Sequence, residues 1–196
     1  MLSPDEIRAR YERVQAEVGP AVTVVAATKY VSLPEMARLV EAGITVVGEN
    51  RAQDLEAKHA EYGDAFRWHF IGHLQSNKVR VVNGICELVH SLDSDSAARR
   101  LDVPALVQVN LAGEESKSGV SPAEIGAYLR YDVRGLSTMP PAAATAEASR
   151  TWFARLRELA AEHGLQELSM GTTQDYAVAA EQGATYVRVG SILFQD

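Results

Sequence analysis

Lys29 is the first side chain in this sequence whose position suggests chemistry. It follows the apolar, β-branched segment VTVVAAT at residues 22–28, so it stands where a buried strand is expected to end. A free lysine amine is protonated at neutral pH, whereas partial burial favours the neutral amine, which condenses with aldehydes and ketones. The position therefore predicts a Schiff-base lysine, and the simpler alternative is a rim lysine whose charged end reaches solvent.

Two segments near the end of the sequence, MGTTQDY and VGSIL, combine hydroxyl groups with small residues. The first is expected to open a helix, and the first N–H groups of a helix lack intrahelical partners and attract anions. We therefore expect a phosphate group to bind at Thr173, Gly190 and Ser191. A lysine amine together with a phosphate site is what pyridoxal 5′-phosphate (PLP) requires.

Arg188 lies inside the apolar segment TYVRVG, where a buried guanidinium needs partners. One interpretation is a structural ion pair. The other places the guanidinium against the ring nitrogen of a bound cofactor. Because arginine only donates hydrogen bonds, that nitrogen would have to be unprotonated, which would make the ring a poorer electron sink.

These residues need elements that bring them together. Helix start signals in the form of capping boxes occur at Ser3, Ser32 and Ser121, and the first predicts a helix over residues 3–18. Eight apolar segments between the helices predict strands buried on both faces: residues 22–28, 45–49, 68–72, 87–92, 105–111, 133–138, 166–171 and 185–190.

The alternation of strands and helices favours an α/β fold, a single (β/α)8 barrel of the TIM type over residues 1–196 with an extra N-terminal helix. An open doubly wound sheet is the alternative, but no glycine-rich loop follows the first strand. The chain is short for such a barrel, so several helices must be short. We expect no helix after the eighth strand and expect the N-terminal helix to fill that gap.

Composition restricts the classes of protein to consider. The net charge is −7 without a basic stripe, which argues against nucleic-acid binding. No apolar run reaches the about 20 residues that span a membrane, and no signal peptide is recognisable. The lone cysteine, Cys86, is expected to be a small buried strand residue in a reducing compartment. A cytoplasmic monomer is expected.

Several segments resemble a known family. AATK, VVGENRAQ, WHFIGHLQSNK, VHSLD, QVNLAGEESKSGV, RGLSTMP, LSMGTTQD and VRVGSILF, in this order, resemble the YggS/PROSC family of PLP-homeostasis proteins. The resemblance implies a barrel similar to the N-terminal domain of alanine racemase. It also implies that Lys29 forms the internal aldimine with PLP, and that the other cofactor-binding residues are Asn50, Thr173, Arg188, Gly190 and Ser191. His69 and Lys78 match motif positions without a clear role, and His69 could equally be a barrel histidine with internal partners.

The sequence departs from the family pattern in places. The family's MGMS is MGTT here, which keeps a hydroxyl at Thr173, and Gln195 replaces the usual glycine after the last phenylalanine. The segments around residues 101–104 and 121–133 are shorter than usual, which predicts trimmed helices on that side.

The resemblance implies a protein that carries or buffers PLP in vitamin B6 and amino- and keto-acid homeostasis, with PLP-dependent apo-enzymes as acceptors and without substantial turnover. A PLP-dependent amino-acid racemase is the alternative, although alanine racemase takes one of its two acid–base groups from a second domain that this sequence lacks. A Schiff-base aldolase without PLP and a non-enzymatic interaction protein are weaker alternatives.

Overall fold

The structure is a computed structural model that describes residues 1–114, 117–142 and 144–195. Within these residues, parallel strands form one closed barrel in sequence order, and the first strand pairs with the last between Thr23–Ala26 and Tyr186–Val189. This pairing confirms the predicted (β/α)8 barrel and excludes the open sheet. The strands are β1 (Thr23–Ala27), β2 (Val46–Glu49), β3 (Arg67–Phe70), β4 (Leu88–Leu92), β5 (Ala105–Val109), β6 (Val133–Thr138), β7 (Glu167–Thr172) and β8 (Tyr186–Val189).

The helices around the barrel are mostly short, as the chain length predicts. They are α1 (Pro4–Val18), α2 (Met36–Glu41), α3 (Ala52–Tyr62), α4 (Val79–Asn83), α5 (Asp95–Ala98), α6 (Ile125–Tyr128), α7 (Arg150–Glu162), α8 (Tyr176–Glu181) and α9 (Ser191–Phe194). Helices α5 and α6 form a single turn each, on the side where the sequence is trimmed. Positions 115 and 116 of the QVNLAGEESKSGV motif lie outside the described residues.

Helix α1 begins as its capping box predicts. The Ser3 hydroxyl accepts from the backbone N–H of Glu6, whose carboxylate accepts from the N–H of Ser3. The helix buries Ile7, Val14 and Val18 and packs against α2, α8 and α9, so it completes the outer ring between β8 and β1. The expectation of no helix after β8 is wrong, because Gly190 is followed directly by the single turn α9.

The core has an apolar layer between strands and helices and a more polar barrel interior. Large side chains such as Leu39, Leu55 and Phe153 are fully buried in the outer layer. The interior instead contains buried polar residues, including His69, His90, Ser137, Ser169 and Arg188. Buried polar groups need hydrogen-bond partners, so these interior side chains are expected to bond to one another.

Cys86 is buried as expected, but it lies two residues before β4 rather than within a strand. Burial raises the pKa of its thiol to about 12, so it is an unreactive side chain. Among the described residues, no helix combines the length and the apolar character that crossing a bilayer requires.

Candidate functional site

A cavity of about 630 Å³ opens at the carboxyl end of the barrel strands, which is the functional end in barrels of this type. Its volume is within the range of small-molecule and cofactor sites. All six predicted cofactor-binding residues line it: Lys29, Asn50, Thr173, Arg188, Gly190 and Ser191. The structure therefore brings together residues from the ends of β1, β2, β7 and β8.

Lys29 lies just after β1, at the rim of the cavity. Its Nζ atom is 4.5 Å from the centre of the Tyr30 ring, and both residues are exposed, so Lys29 lacks the partial burial on which the Schiff-base prediction relied and has the rim position of the alternative. The sequence contains four lysines, and the other three are placed differently. Lys58 is buried in an ion pair, Lys117 donates to the carbonyl of Pro140, and Lys78 stands before α4 away from the cavity.

A buried ion pair fixes the backbone that presents Lys29. Lys58 on α3 donates to Glu49 Oε1 at the end of β2, and also to the carbonyl of Thr28 at 2.8 Å. The Thr28 hydroxyl donates to the same Glu49 oxygen at 2.6 Å. Lys58 and Glu49 are almost completely buried. The residue immediately before Lys29 is thus held by two charged groups.

Asn50 follows β2 and retains unused hydrogen-bonding capacity beside the cavity. Its Oδ1 is buried and has no hydrogen-bond partner among the described residues. The backbone of Asn50 lies directly against Gly72, where an added Cβ would be 2.0 Å from the Asn50 carbonyl oxygen. The glycine in the segment FIGH is therefore needed for Asn50 to take its place.

The loops after β7 and β8 are joined through Thr173. The Thr173 hydroxyl accepts from the backbone N–H of Gly190 at 3.2 Å and of Ile192 at 3.5 Å. Ser191 lines the same part of the cavity. Two hydroxyl groups and two backbone N–H groups that already pair with a hydroxyl oxygen form an arrangement that can donate hydrogen bonds to an anionic oxygen.

Asp175 shapes the first of these loops, although sequence analysis did not single it out. Its carboxylate accepts from the Thr172 backbone N–H at 2.7 Å and from the Thr172 hydroxyl at 3.2 Å. Both bonds reach back three residues and close the loop directly before α8, which begins at the next residue with Asp175 in the N-cap position. The aspartate in MGTTQD was thus a recognisable signal.

Arg188 is buried, and every described group that accepts a hydrogen bond from its guanidinium is neutral. It donates to the Ser169 hydroxyl at 2.9 Å and to the carbonyl of Thr138 at 2.8 Å, and it lies 3.0 Å from the sulfur of Met139. Burial lowers its pKa to about 10, with the charge of Asp175 acting in the opposite direction. Arg188 remains a cation at neutral pH. Among the described residues it has no ion-pair partner, so the interpretation as a structural ion pair is not supported.

The two motif residues without a clear role lie outside the cavity. His69 is inside the barrel, where its Nδ1 is 2.9 Å from Nε2 of His90, so it is a barrel histidine with an internal partner. Ser169, His90 and Lys58 were not predicted. Lys58 could have been found, because Ala52, Leu55 and Lys58 share the spacing of a buried helix face.

Comparisons with known proteins agree with this geometry. The chain matches the family described as the alanine racemase N-terminal domain over residues 2–196. It belongs to this family. A protein of Deinococcus radiodurans named pyridoxal phosphate homeostasis protein is 39% identical in an alignment 211 residues long, and the alignment covers 98% of this chain and 100% of the relative. One of the same name from Aquifex aeolicus is 38% identical in an alignment 187 residues long, and the alignment covers 83% of this chain and 82% of the relative. The resemblance to the YggS/PROSC family is thereby confirmed.

Solved structures extend the comparison to three dimensions. PipY of Synechococcus elongatus, a COG0325 family member solved with PLP bound, is 34% identical and superimposes with a TM-score of 0.87 over 96% of this chain and 99% of PipY. A lysine/ornithine decarboxylase of Vibrio vulnificus has a TM-score of 0.75, with coverage of 98% and 62%, but only 17% identity, so that likeness concerns the fold alone.

Proposed function

We propose that this chain binds PLP through a Schiff base on Lys29 and carries or buffers the cofactor for other proteins. The observation that supports this most directly is the convergence of Lys29, Arg188 and the loops joined by Thr173 on one cavity. The PLP-bound structure of PipY and the names of the relatives point to the same cofactor.

The residues present fit PLP. Thr173 and Ser191, with the N–H groups of Gly190 and Ile192, would hold the phosphate. The buried Oδ1 of Asn50 supplies a hydrogen-bond acceptor for the ligand, because no described residue donates to it. Arg188 would donate to the ring nitrogen, because its Nε–H is the guanidinium donor for which no described residue supplies an acceptor.

Lys29 supplies the covalent link. Its neutral amine adds to the aldehyde carbon, a C=N bond forms, and the aldehyde oxygen leaves as water, so no oxidant or reductant is needed. The exposure of Lys29 at the rim suits a reversible link, because water and the amines of acceptor proteins can reach it. The ion pair of Lys58 and Glu49 keeps the backbone before Lys29 in place during this exchange.

The experiment is an absorption spectrum of the purified protein with PLP, before and after borohydride reduction, followed by peptide mapping of the modified lysine. Lys29→Ala should abolish the Schiff-base band and the label. Lys78→Ala is the matched control and should retain both, because Lys78 lies outside the cavity. Label on Lys78 or Lys117, or a persistent band in Lys29→Ala, would show that the site assignment is wrong.

We further propose that the protein does not turn over amino acids at rates typical of enzymes. PLP, when bound, supplies an electron sink for carbanions at the α-carbon of an amino acid, and this sink is weakened where Arg188 donates to the ring nitrogen. Besides Lys29 and Arg188, the titratable side chains described along the cavity are Tyr30 and Glu35. Glu35 is engaged in the capping box of Ser32, and hydrogen bonds from Ser32 lower its pKa, so it is a poor proton donor.

Incubation of the PLP-loaded protein with L- and D-amino acids in deuterium oxide tests this part. We expect negligible α-proton exchange and negligible racemisation. Exchange at enzymatic rates that Lys29→Ala abolishes would restore the racemase alternative. That alternative is considered because the matching family is described as the alanine racemase N-terminal domain.

A protein that holds PLP in this way would also have a wider role in the cell. A reversible PLP carrier in the cytoplasm would limit free aldehyde, supply PLP-dependent apo-enzymes and so influence vitamin B6 and amino- and keto-acid balance. We expect the carrier to act as a monomer, without a nucleic-acid or membrane partner, and over its described length as one folding unit.

A further inference from the structure

A continuous chain of buried polar groups runs from Arg188 into the barrel. Arg188 donates to the Ser169 hydroxyl at 2.9 Å, and the same hydroxyl is 2.7 Å from Nδ1 of His90. Nε2 of His90 is in turn 2.9 Å from Nδ1 of His69. All four residues are buried, and the chain joins strands β8, β7, β4 and β3.

The direction of this chain depends on the tautomers of the two histidines. A guanidinium has no acceptor, so the Ser169 oxygen accepts from Arg188, and we assign the Ser169 hydrogen to Nδ1 of His90. His90 is then neutral with its hydrogen on Nε2, and it donates to Nδ1 of His69. Burial lowers the pKa of His69 to about 4 and that of His90 well below its ordinary 6.5, which agrees with two neutral rings.

Packing leaves these rings little freedom. The Tyr186 ring meets both edge-on, with ring centres 5.9 Å from His69 and 5.1 Å from His90. A buried hydroxyl that points at a fixed nitrogen cannot rotate without losing a hydrogen bond in a region that water does not reach. Ser169 is therefore an acceptor of fixed direction for Arg188.

This arrangement determines which donor of Arg188 is left for a ligand. One terminal nitrogen is occupied by Ser169 and the other by the Thr138 carbonyl and Met139. With both ends held, the Nε–H is the donor left over among the described contacts, and Arg188 lines the cavity. Release of one end would allow the planar group to turn.

We infer that Ser169 and His90 are positioning residues that hold Arg188 so that its Nε–H serves the ring nitrogen of the ligand. The inference rests on the proposed function for the identity of that ligand. It predicts that loss of the Ser169 hydroxyl weakens the contact to the ring nitrogen selectively and leaves the phosphate and aldehyde contacts intact.

The test compares Ser169→Ala with Ser137→Ala. Both serines are fully buried barrel residues, but the Ser137 hydroxyl donates to the backbone carbonyl of His90 and does not contact Arg188. Dissociation constants are measured for PLP and for its 1-deaza analogue, in which C–H replaces the ring nitrogen. Ser169→Ala should weaken PLP roughly tenfold, as for one lost hydrogen bond, and leave the analogue unchanged. Ser137→Ala should change neither. Equal effects of Ser169→Ala on both ligands, or no effect, would overturn the inference.

Nuclear magnetic resonance of the ligand-free protein separates this inference from the proposed function. In the unsubstituted protein, Nδ1 of His90 should be unprotonated and Nε2 should carry the hydrogen. The Nε–H signal of Arg188 should exchange with water faster in Ser169→Ala than in Ser137→Ala. A protonated Nδ1, or equal exchange in the two variants, overturns the inference, whereas failure of the unsubstituted protein to bind PLP would refute the proposed function alone.

Discussion

Mild acid should destabilise this protein, because two histidines are buried inside the barrel as neutral rings. Burial is the main cause that lowers the pKa of His69 to about 4, and it lowers that of His90 well below 6.5. In the unfolded chain both rings regain an ordinary pKa near 6.5. Between these values the unfolded chain binds protons that the folded chain does not, so stability falls as the pH falls.

The magnitude follows from His69. Its contribution is present in full above pH 6.5 and is lost as the pH decreases towards its folded pKa of about 4. The difference corresponds to about 3 kcal/mol, of which about 2 kcal/mol is lost by about pH 5. His90 acts in the same direction and adds to the loss.

The assay is urea unfolding of the ligand-free protein at about pH 7.5 and about pH 5. His69→Gln retains an acceptor for His90 but does not titrate, so it should lose less free energy of unfolding over this range, by about 2 kcal/mol. His163→Gln, at the partly exposed end of α7, is the control and should behave like the unsubstituted protein. Carboxylates with lowered pKa, such as Glu35, contribute mainly below their ordinary value of 4.5.

Two results would refute this reasoning. If the unsubstituted protein is equally stable at both pH values, the buried rings are not neutral groups that gain a proton on unfolding. If His69→Gln loses as much stability as the unsubstituted protein, the acid sensitivity has another origin and the burial of His69 does not explain it.

Three further predictions concern the site. Lys58→Met should lower the free energy of unfolding, measured with urea, by about 3–5 kcal/mol because it leaves Glu49 buried without its partner. Lys58→Met combined with Glu49→Leu should recover most of the lost free energy, and a double variant as unstable as the single one would contradict the argument. Thr173→Val should weaken PLP about tenfold to a hundredfold but pyridoxal far less in equilibrium titrations, and equal weakening would place the phosphate elsewhere. Gly72→Ala should destabilise the protein by roughly 1–3 kcal/mol, measured by urea unfolding, since its new Cβ must displace the Asn50 backbone, and an unchanged midpoint would refute the close contact.

The strands and the first helix could be predicted because their signals are local. The capping box of Ser3 needs only three residues of separation, and each strand overlaps a short segment rich in apolar residues. The cavity residues could be predicted for a related reason, since a barrel brings the carboxyl ends of all its strands together. The short helix α9 was missed because four residues carry too little pattern.

The internal partners could not be predicted, because the sequence does not show which inward-facing side chains meet. His90 and Ser169 are 79 residues apart, and Lys58 reaches the carbonyl of Thr28 across 30 residues. Such pairs depend on strand register and on the tilt of the barrel, which set the height of each side chain in the interior. A polar residue within an apolar strand signals that a partner exists without identifying it.

The place of α1 has a consequence for how the chain can be extended or rearranged. Because α1 occupies the ring position that follows β8, both ends of the described chain lie at the mouth of the closed barrel, where Met1 and Gln195 border the cavity. Arg38 donates to the carbonyls of Met1 and Leu2 at 2.6 and 3.1 Å, and Arg10 donates to those of Ile192 and Gln195 at 3.2 and 2.5 Å. An affinity tag on either end would therefore emerge beside the cavity. A circular permutant with these ends joined and new ends in the opposite loops would move such additions to the far side of the barrel.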